Sequence, residues 1–515
     1  MRKIKKQEIL IFLIIIGIAA FFRLYQLDKF PPGLYPDEAM NGNNALEAID
    51  TGNYEIFYPE NNGREGLFIN IQALSLKIFG NKTEALRIVS SILGIFTVIG
   101  LYLLTKQLYD WRMASLASFM LAVSFWHVNF SRIGFRAIML PFVLVFGFYF
   151  IWRGLKHLHK FDFFMAGIFA GLGFHTYISY RIAPLIGVLL FINYWFYLKK
   201  DFSHQDYEHA RNKLLQGFAL SFIVMFIVAL PLGLHFLIQP DDFFGRSSGI
   251  SVFSAANPLK SLGESIVGTL GMFNFYGDFN QRHNIAGAPM LHWTLGIFFL
   301  VGFIKEIGHW LKRKHGHFST LHTFLISWFF IMLVPGFISL EAPHALRTIG
   351  VLPVVMIFTA RGMWWIFNKL SDWYEANDPP SSENFNGTNF HSRQERHIVV
   401  ALVLTMFLFS IGFVEYWRYF KIWGPDQATA SAFNQNYAKL ADIINQSPAN
   451  LKKYIVVNAE GTLVNNIPVP SQTIMFLTDT YSSKKQEQKN IFYLSSEEFK
   501  KMNLGRNDLV FYLEK

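Results

Sequence analysis

Residues 9–27 read ILIFLIIIGIAAFFRLYQL, and residues 35–50, just beyond, read YPDEAMNGNNALEAID. The first stretch decides the fold, because about 20 apolar residues in a helix cross the ~30 Å hydrocarbon core of a bilayer. Its basic head, MRKIKKQE, is that of a signal peptide, yet the run has spanning length and no small-residue cleavage site follows it. It is therefore read as a retained first helix with its N-terminus on the cytoplasmic side. The second stretch then sets two adjacent carboxylates, Asp37 and Glu38, at the far end of that helix.

Composition extends the membrane reading to the whole chain. Hydrophobic residues make up 52% and aromatic residues 17% of the 515 residues, and mean hydropathy is +0.27, which is too apolar for a soluble protein of this length. The net charge of +10 is assigned to loop lysines and arginines that orient the helices, not to nucleic-acid binding. The chain has no cysteine, which removes disulfides, thiolate catalysis and Cys-ligated metals while saying nothing about compartment.

Further apolar runs begin near Leu86, Met113, Ala137, Phe163, Ile182, Leu214, Leu291, Leu321, Leu346 and Ile398, giving an all-α polytopic bundle of about eleven transmembrane helices. Basic residues collect on the loops this count places inside: WRGLKHLHK, LKKDFSHQDYEHARNK, HWLKRKHGH and the polar linker over residues 369–397. Residues 1–418 form the membrane module, with external loops at about 28–84 and 236–289. Residues 419–515 are expected to form a small extracytoplasmic α/β domain. Its strand candidates are KYIVVN, TIMFLT, IFYL and LVFYL, and SSEEFKKM opens on a capping-box pattern.

On the outer side, Asp37 could simply cap a helix that runs to Gly52, with Glu38 placed well against the helix dipole. The same loop, however, adds Glu60, Arg64 and Glu65, and charges at membrane depth suggest function. Basic corners lie on this side too. FSRIGFRAIMLP carries Arg132 and Arg136, which would share one face if helical. GFHTYISYRIAP carries His175, Tyr177 and Arg181; GDFNQRHNIAGAPML carries Arg282, His283 and Asn284; SLEAPHALRTIG carries His344 and Arg347. Singly, each could snorkel or join an aromatic belt. Together, facing one acid pair, they form a candidate site for phosphate binding and acid-base chemistry.

YPDE, GREGLFINIQAL, SRIGFRAIMLP and RHNIAGAPML resemble the type C glycosyltransferases, specifically the group of protein O-mannosyltransferases (glycosyltransferase family 39) and aminoarabinose transferases. The resemblance covers residues 1 to about 420. It implies a membrane glycosyltransferase, a sugar donor carried on a polyprenyl phosphate and a hydroxyl-bearing acceptor on protein, lipid or cell-envelope glycan. Asp37 would then be the general base and Glu38 its assistant or orienter. Arg132 or Arg136 would hold the lipid phosphate, and Arg64, Glu65, Tyr177, Arg181, Arg282, His283, Asn284, His344 and Arg347 are further donor-binding candidates. Because a phosphate departs as a stable anion, one in-line displacement with inversion suffices, unlike the two opposed carboxyls of a glycosidase.

Related oligosaccharyltransferases carry Asp-x-Asp and a divalent ion. The adjacent Asp-Glu here favours no required metal, although Glu60 and Glu65 could complete a Mg²⁺ or Mn²⁺ site with Asp37. The 236–289 loop, with Gly277 and Gly287 near its basic segment, is expected to act as a lid. Two other classes remain: a transporter or flippase of lipid-linked sugars, which should place ionisable groups near the bilayer midplane, and a non-catalytic scaffold.

Overall fold

Helix α1 (Lys6–Leu24) buries Glu8, Ile15, Ala19, Phe22 and Arg23, a stripe at helical spacing. Its other face leaves Ile9, Leu10, Leu13 and Ile14 exposed, as suits a lipid-facing surface. The computed structural model describes residues 6–201, 204–243, 251–312, 317–377, 393–464 and 466–514. Among these, nine helices are long and apolar enough to cross a membrane, and each coincides with an expected run. The two remaining expected runs form shorter helices, Trp111–Val123 and Lys160–Phe174, of 13 and 15 residues. The first stops at Ser124, whose extended backbone (ψ 123°) starts a separate turn, Phe125–Phe130. The polar linker at 369–397 falls mostly on residues 378–392, outside the described residues.

Burial grades the bundle from rim to centre. Only 11% of the apolar window of Val400–Trp423 is buried inside the protein, against 78% for Ile349–Trp373. The central helix Leu352–Asn377 meets Trp293–Leu311 through Gly362 and Gly302, where a Cβ on either glycine would collide with the backbone of the other helix. Close backbone approach of this kind replaces the hydrophobic drive that lipid does not supply. Four acids buried near the ends of the membrane helices each have a basic partner. Glu8 pairs with Lys106, Asp162 with Arg153, Glu306 with Arg361 and His322, and Glu415 with Arg418.

The first loop is structured. Helix α2 (Pro36–Thr51) opens with proline at its first turn and closes on Gly52 at φ 76°, the left-handed conformation that favours glycine at a helix end. A short hairpin of β1 (Phe57–Tyr58) and β2 (Arg64–Glu65) follows, and its turn uses positive φ at Asn61, Asn62 and Gly63. Helix α3 (Gly66–Phe79) leads into the second span, α4 (Thr83–Leu108).

The C-terminal region carries a three-stranded parallel sheet ordered β6–β3–β7, from β3 (Lys453–Val457), β6 (Ile491–Ser495) and β7 (Leu509–Leu513). A separate antiparallel pair is formed by β4 (Leu463–Val464) and β5 (Ile467–Pro468). The capping box forms as expected, with Ser495 and Glu498 bonding reciprocally. TIMFLT, expected as a strand, is the helix Gln472–Leu477. Ile474 and Met475 face the sheet core while Phe476 joins the apolar cluster of the first loop, a two-sided burial that a short helix provides.

This helix docks on α2. Asn43 donates to the Gln472 carbonyl and side chain (3.1 and 2.8 Å), Asn81 to the Phe476 carbonyl, and Thr473 to the Leu34 carbonyl. Gly42 admits the Phe476 ring, which a Cβ there would strike. The first loop and the C-terminal region thus lie on the same end of the bundle.

Candidate functional site

Asp37 sits in the first turn of α2, but it does not cap the helix: the cap position is Tyr35, with no side-chain cap bond. Its Oδ1 instead accepts from Asn61 Nδ2 at 2.8 Å, across to the hairpin turn. Between them opens a cavity of about 150 Å³, lined by Asp37, Asn41, Asn61, Asn62, Arg64, Phe135, Arg136, Ala137, Tyr177 and Leu346. The resemblance's two termini of chemistry, an acid and basic groups, therefore meet in one chamber.

Arg64 is buried and anchored by Asn41 (2.8 Å), Asn44 (2.7 Å) and Glu60 (3.4 Å). Burial, and then repulsion from Arg136, lowers its pKa to about 10, so it remains charged at neutral pH. Arg136 donates through Nε to Glu65 at 2.5 Å and through Nη2 to the Gly63 carbonyl, with its guanidinium above the Tyr177 ring. Glu60 and Glu65 thus serve arginines. In the hard-cation site expected from Asp37, Glu60 and Glu65, both glutamates pair with guanidiniums, Arg64 and Arg136.

Glu38 points the other way. Its two oxygens accept from Arg87 at 3.1 and 3.2 Å and from the Gly134 amide at 2.7 Å, and both side chains are fully buried. The pair therefore joins α2, the α4 span and the corner at residue 134. It places Asp37 without touching the chamber.

Arg132 does not share a face with Arg136, since the chain between them is a turn followed by a 3-10 helix at Arg136–Ile138. Arg132 is buried, and it donates to the carbonyls of Phe22, Gln26 and Phe30 at 2.9–3.0 Å. It locks the exit of α1 and has no donor turned to the chamber. Arg181 donates to the Phe243 carbonyl and stacks on that ring, and Arg347 pairs with Glu341. Neither lines the chamber.

The later loop, expected to act as a lid, contains a helix, Pro258–Gly271. Its basic segment is tied down: Asn129 donates to the Arg282 carbonyl, Trp423 to the Gln281 carbonyl, and Gln281 to Thr429. Asn284 closes the segment on itself through the Ala288 carbonyl. His283 and His344 face each other and Asp278 instead of the chamber. The carboxyl of Asp278, pushed up by burial, is pulled down further by the His283 hydrogen bond and the nearby imidazoles, so that its net shift is downward.

Arg282 differs in what it stacks on; a buried donor without a hydrogen-bond partner it shares with Arg132 Nε and Arg347 Nη1. The Arg282 guanidinium lies 4.0 Å from the centre of the Tyr35 ring, and its buried Nε has no hydrogen-bond partner. Tyr35 adjoins Asp37 and packs edge-on to the chamber residue Phe135. Burial, and then the Asp37 charge, raises the Tyr35 hydroxyl pKa while Arg282 opposes both. An arginine with an unsatisfied donor at the chamber's edge is a ready anion seat.

A second, apolar cavity of about 360 Å³ opens among the spans, lined by residues including Val143, Phe148, Tyr180, Gly187, Phe191 and Phe222. One segment contributes to both cavities: Tyr177 lines the chamber and Tyr180, three residues on, lines the apolar cavity. Sequence reasoning missed Arg87, Asn41 and Asn61. A lone arginine at the head of an apolar run (ALRIVSS) and the NNG turn were the available signals.

Residues 67–229 match the family described as dolichyl-phosphate-mannose-protein mannosyltransferase. A search of the curated proteins returns no match. Among solved structures, the chain is similar to the Archaeoglobus fulgidus oligosaccharyltransferase tethered with an acceptor peptide containing the NVT sequon (TM-score 0.57, 15% identity), over 95% of this chain and 64% of that one. It is also similar to ArnT from Cupriavidus metallidurans bound to undecaprenyl phosphate (TM-score 0.54, 11% identity), over 96% of this chain and 90% of that one. The chain spans just under two thirds of the archaeal enzyme's length. The chain shares the fold of these solved structures, as the sequence resemblance implied, and the family match covers residues 67–229.

Proposed function

We propose that this chain transfers a sugar from a polyprenyl-phosphate donor to a hydroxyl acceptor, with inversion at the anomeric carbon. The observation that carries the reading is the free-standing role of Asp37: its carboxylate caps no helix and faces a chamber shared with Arg64 and Arg136. Asp37 takes the acceptor hydroxyl's proton as the acceptor oxygen bonds to the anomeric carbon and the bond to the phosphate oxygen breaks. A positioned carboxylate of this kind contributes ~10²- to 10⁴-fold. The departing phosphate keeps the electron pair and needs charge stabilisation rather than a proton. Arg136 and Arg282 are assigned to it, with Arg64 and Tyr177 on the sugar.

The size and placement of the cavities support a lipid-linked donor. At about 150 Å³ the chamber is smaller than the ~300–1,000 Å³ of drug-sized sites, which suits one sugar ring with the acceptor entering from outside. The apolar cavity lined from the same segment is assigned to the first isoprene units. Acceptors remain a class: protein, lipid or cell-envelope glycan hydroxyls, on the extracytoplasmic side.

Purified protein in nanodiscs, offered polyprenyl phosphates bearing single sugars, tests the reading by mass spectrometry. One donor should be cleaved to polyprenyl phosphate with the sugar on a hydroxyl. Movement of intact donor across proteoliposomes without cleavage would instead establish the transporter reading.

A further inference from the structure

Asp278, His283 and His344 bring three ligating side chains together outside the chamber, from two separate segments of the chain. Their candidate ligand atoms all lie within 4.8 Å of one another. Asp278 Oδ2 stands 2.9 Å from His283 Nδ1 and 3.9 Å from His344 Nδ1. A tetrahedral ion with bonds of about 2.0–2.1 Å separates its ligand atoms by about 3.4 Å, midway between those two distances. Since all three ligand atoms lie within 4.8 Å of one another, no pair has to close by more than about 1.4 Å to reach that separation.

We infer that Asp278, His283 and His344 bind a divalent transition-metal ion of the zinc class. Two imidazoles and one carboxylate favour Zn²⁺ or Co²⁺ over the oxygen-seeking Mg²⁺ and Ca²⁺. Asp278 and His283 are buried, with side chains 5% exposed, and His344 is 12% exposed.

The surroundings are those of a supported ligand set. Asp278 Oδ1 accepts from the Asn280 amide and Oδ2 from the Ala345 amide, each at 2.8 Å, which fixes the carboxylate's orientation. His344 Nε2 faces Glu341 Oε2 at 3.8 Å, and Glu341 is itself held by Arg347 at 2.7 Å. A carboxylate behind a ligating imidazole raises its basicity and sets its tautomer. At Nδ1, His344 accepts a long bond of 3.4 Å from the Arg347 amide, so this nitrogen is unprotonated and the ion takes the place of that bond. On binding, the ion takes the place of the proton shared between His283 and Asp278, which goes to solvent. At least one position remains for water.

The ion would cross-link the 278–284 segment to residues 341–347. Arg282 is the neighbour of His283, and Leu346 lines the chamber, so the site fixes the chamber's outer wall. Binding itself does not depend on the proposed sugar transfer.

The test uses full-length protein in detergent, stripped with a chelator and titrated with Co²⁺ as the probe. One Co²⁺ per chain should bind with visible d–d absorption and be displaced by Zn²⁺. His283→Gln and His344→Gln should each weaken binding by at least about 100-fold, whereas Asp37→Asn should bind as wild type. Absence of stoichiometric binding to folded wild-type protein, or equal binding by both histidine variants, overturns the inference. Should the variants fail to fold, Zn²⁺-dependent protection of the wild type decides it. A Tm that rises with Zn²⁺ supports the site, and an unchanged Tm at excess ion refutes it. Loss of transfer with intact Co²⁺ binding would count against the catalytic reading alone.

Discussion

Glu38 and Arg87 form a two-point ion pair with both side chains fully buried, one residue along the chain from the carboxylate that faces the chamber. Adjacent acids in one motif thus have divided work. Breaking a buried pair by removing one partner costs about 3–5 kcal/mol, because the other charge is left uncompensated. Glu38→Gln should therefore lower the yield and melting temperature of the purified protein. Replacing both partners by apolar residues, as in Glu38→Leu with Arg87→Met, should recover part of that loss. A Glu38→Gln protein as stable as wild type would contradict the pairing role.

Arginines that the sequence treats alike separate by what they hold. Arg136→Gln and Arg282→Gln should raise the donor KM, and lysine should be an incomplete substitute at either position. Arg136→Gln should also lower the melting temperature, because it leaves the buried Glu65 without its partner, whereas Arg282→Gln should change it little. Arg132→Gln strips donors from buried carbonyls of the α1 exit, so it should lower stability by about 1–3 kcal/mol per orphaned group. Donor titrations beside thermal melts of the three variants check the division.

Gly187 lines the apolar cavity, and a Cβ there would meet open space. Gly187→Leu should therefore fold normally and fill part of the seat assigned to the isoprene chain. KM should rise for a long-chain donor and stay near wild type for a truncated one. Equal effects on both donors would remove the cavity from the lipid path.

Gly42 lets the Phe476 ring lie against α2, coupling the C-terminal region to the helix that carries Asp37. Gly42→Val should loosen that contact and expose the C-terminal region to limited proteolysis, with transfer falling in parallel. Unchanged protease resistance would show that the coupling resides in Asn43 and Thr473 instead.

Much of this was legible before the structure. Apolar runs of spanning length announce helices because lipid forces every backbone group to be satisfied within the segment, and all the expected runs are helical. The motif YPDE pointed to an acid, Asp37, that the structure places on the chamber wall. What the sequence could not reveal was the direction of each side chain. Arg132 and Arg136 are four residues apart, but a turn intervenes, so their common face never forms. Asp278, His283 and His344 come together only through folding of two distant loops, and TIMFLT has strand-like composition overridden by two-sided packing.

The most direct test is turnover by Asp37→Asn in nanodiscs with the cognate donor and acceptor. Asn61 can still be paired by the amide oxygen, so donor affinity and melting temperature should stay near wild type while kcat falls by ~10²-fold or more. An Asp37→Asn protein that transfers sugar at a near-normal rate would contradict the assignment of Asp37 as the base.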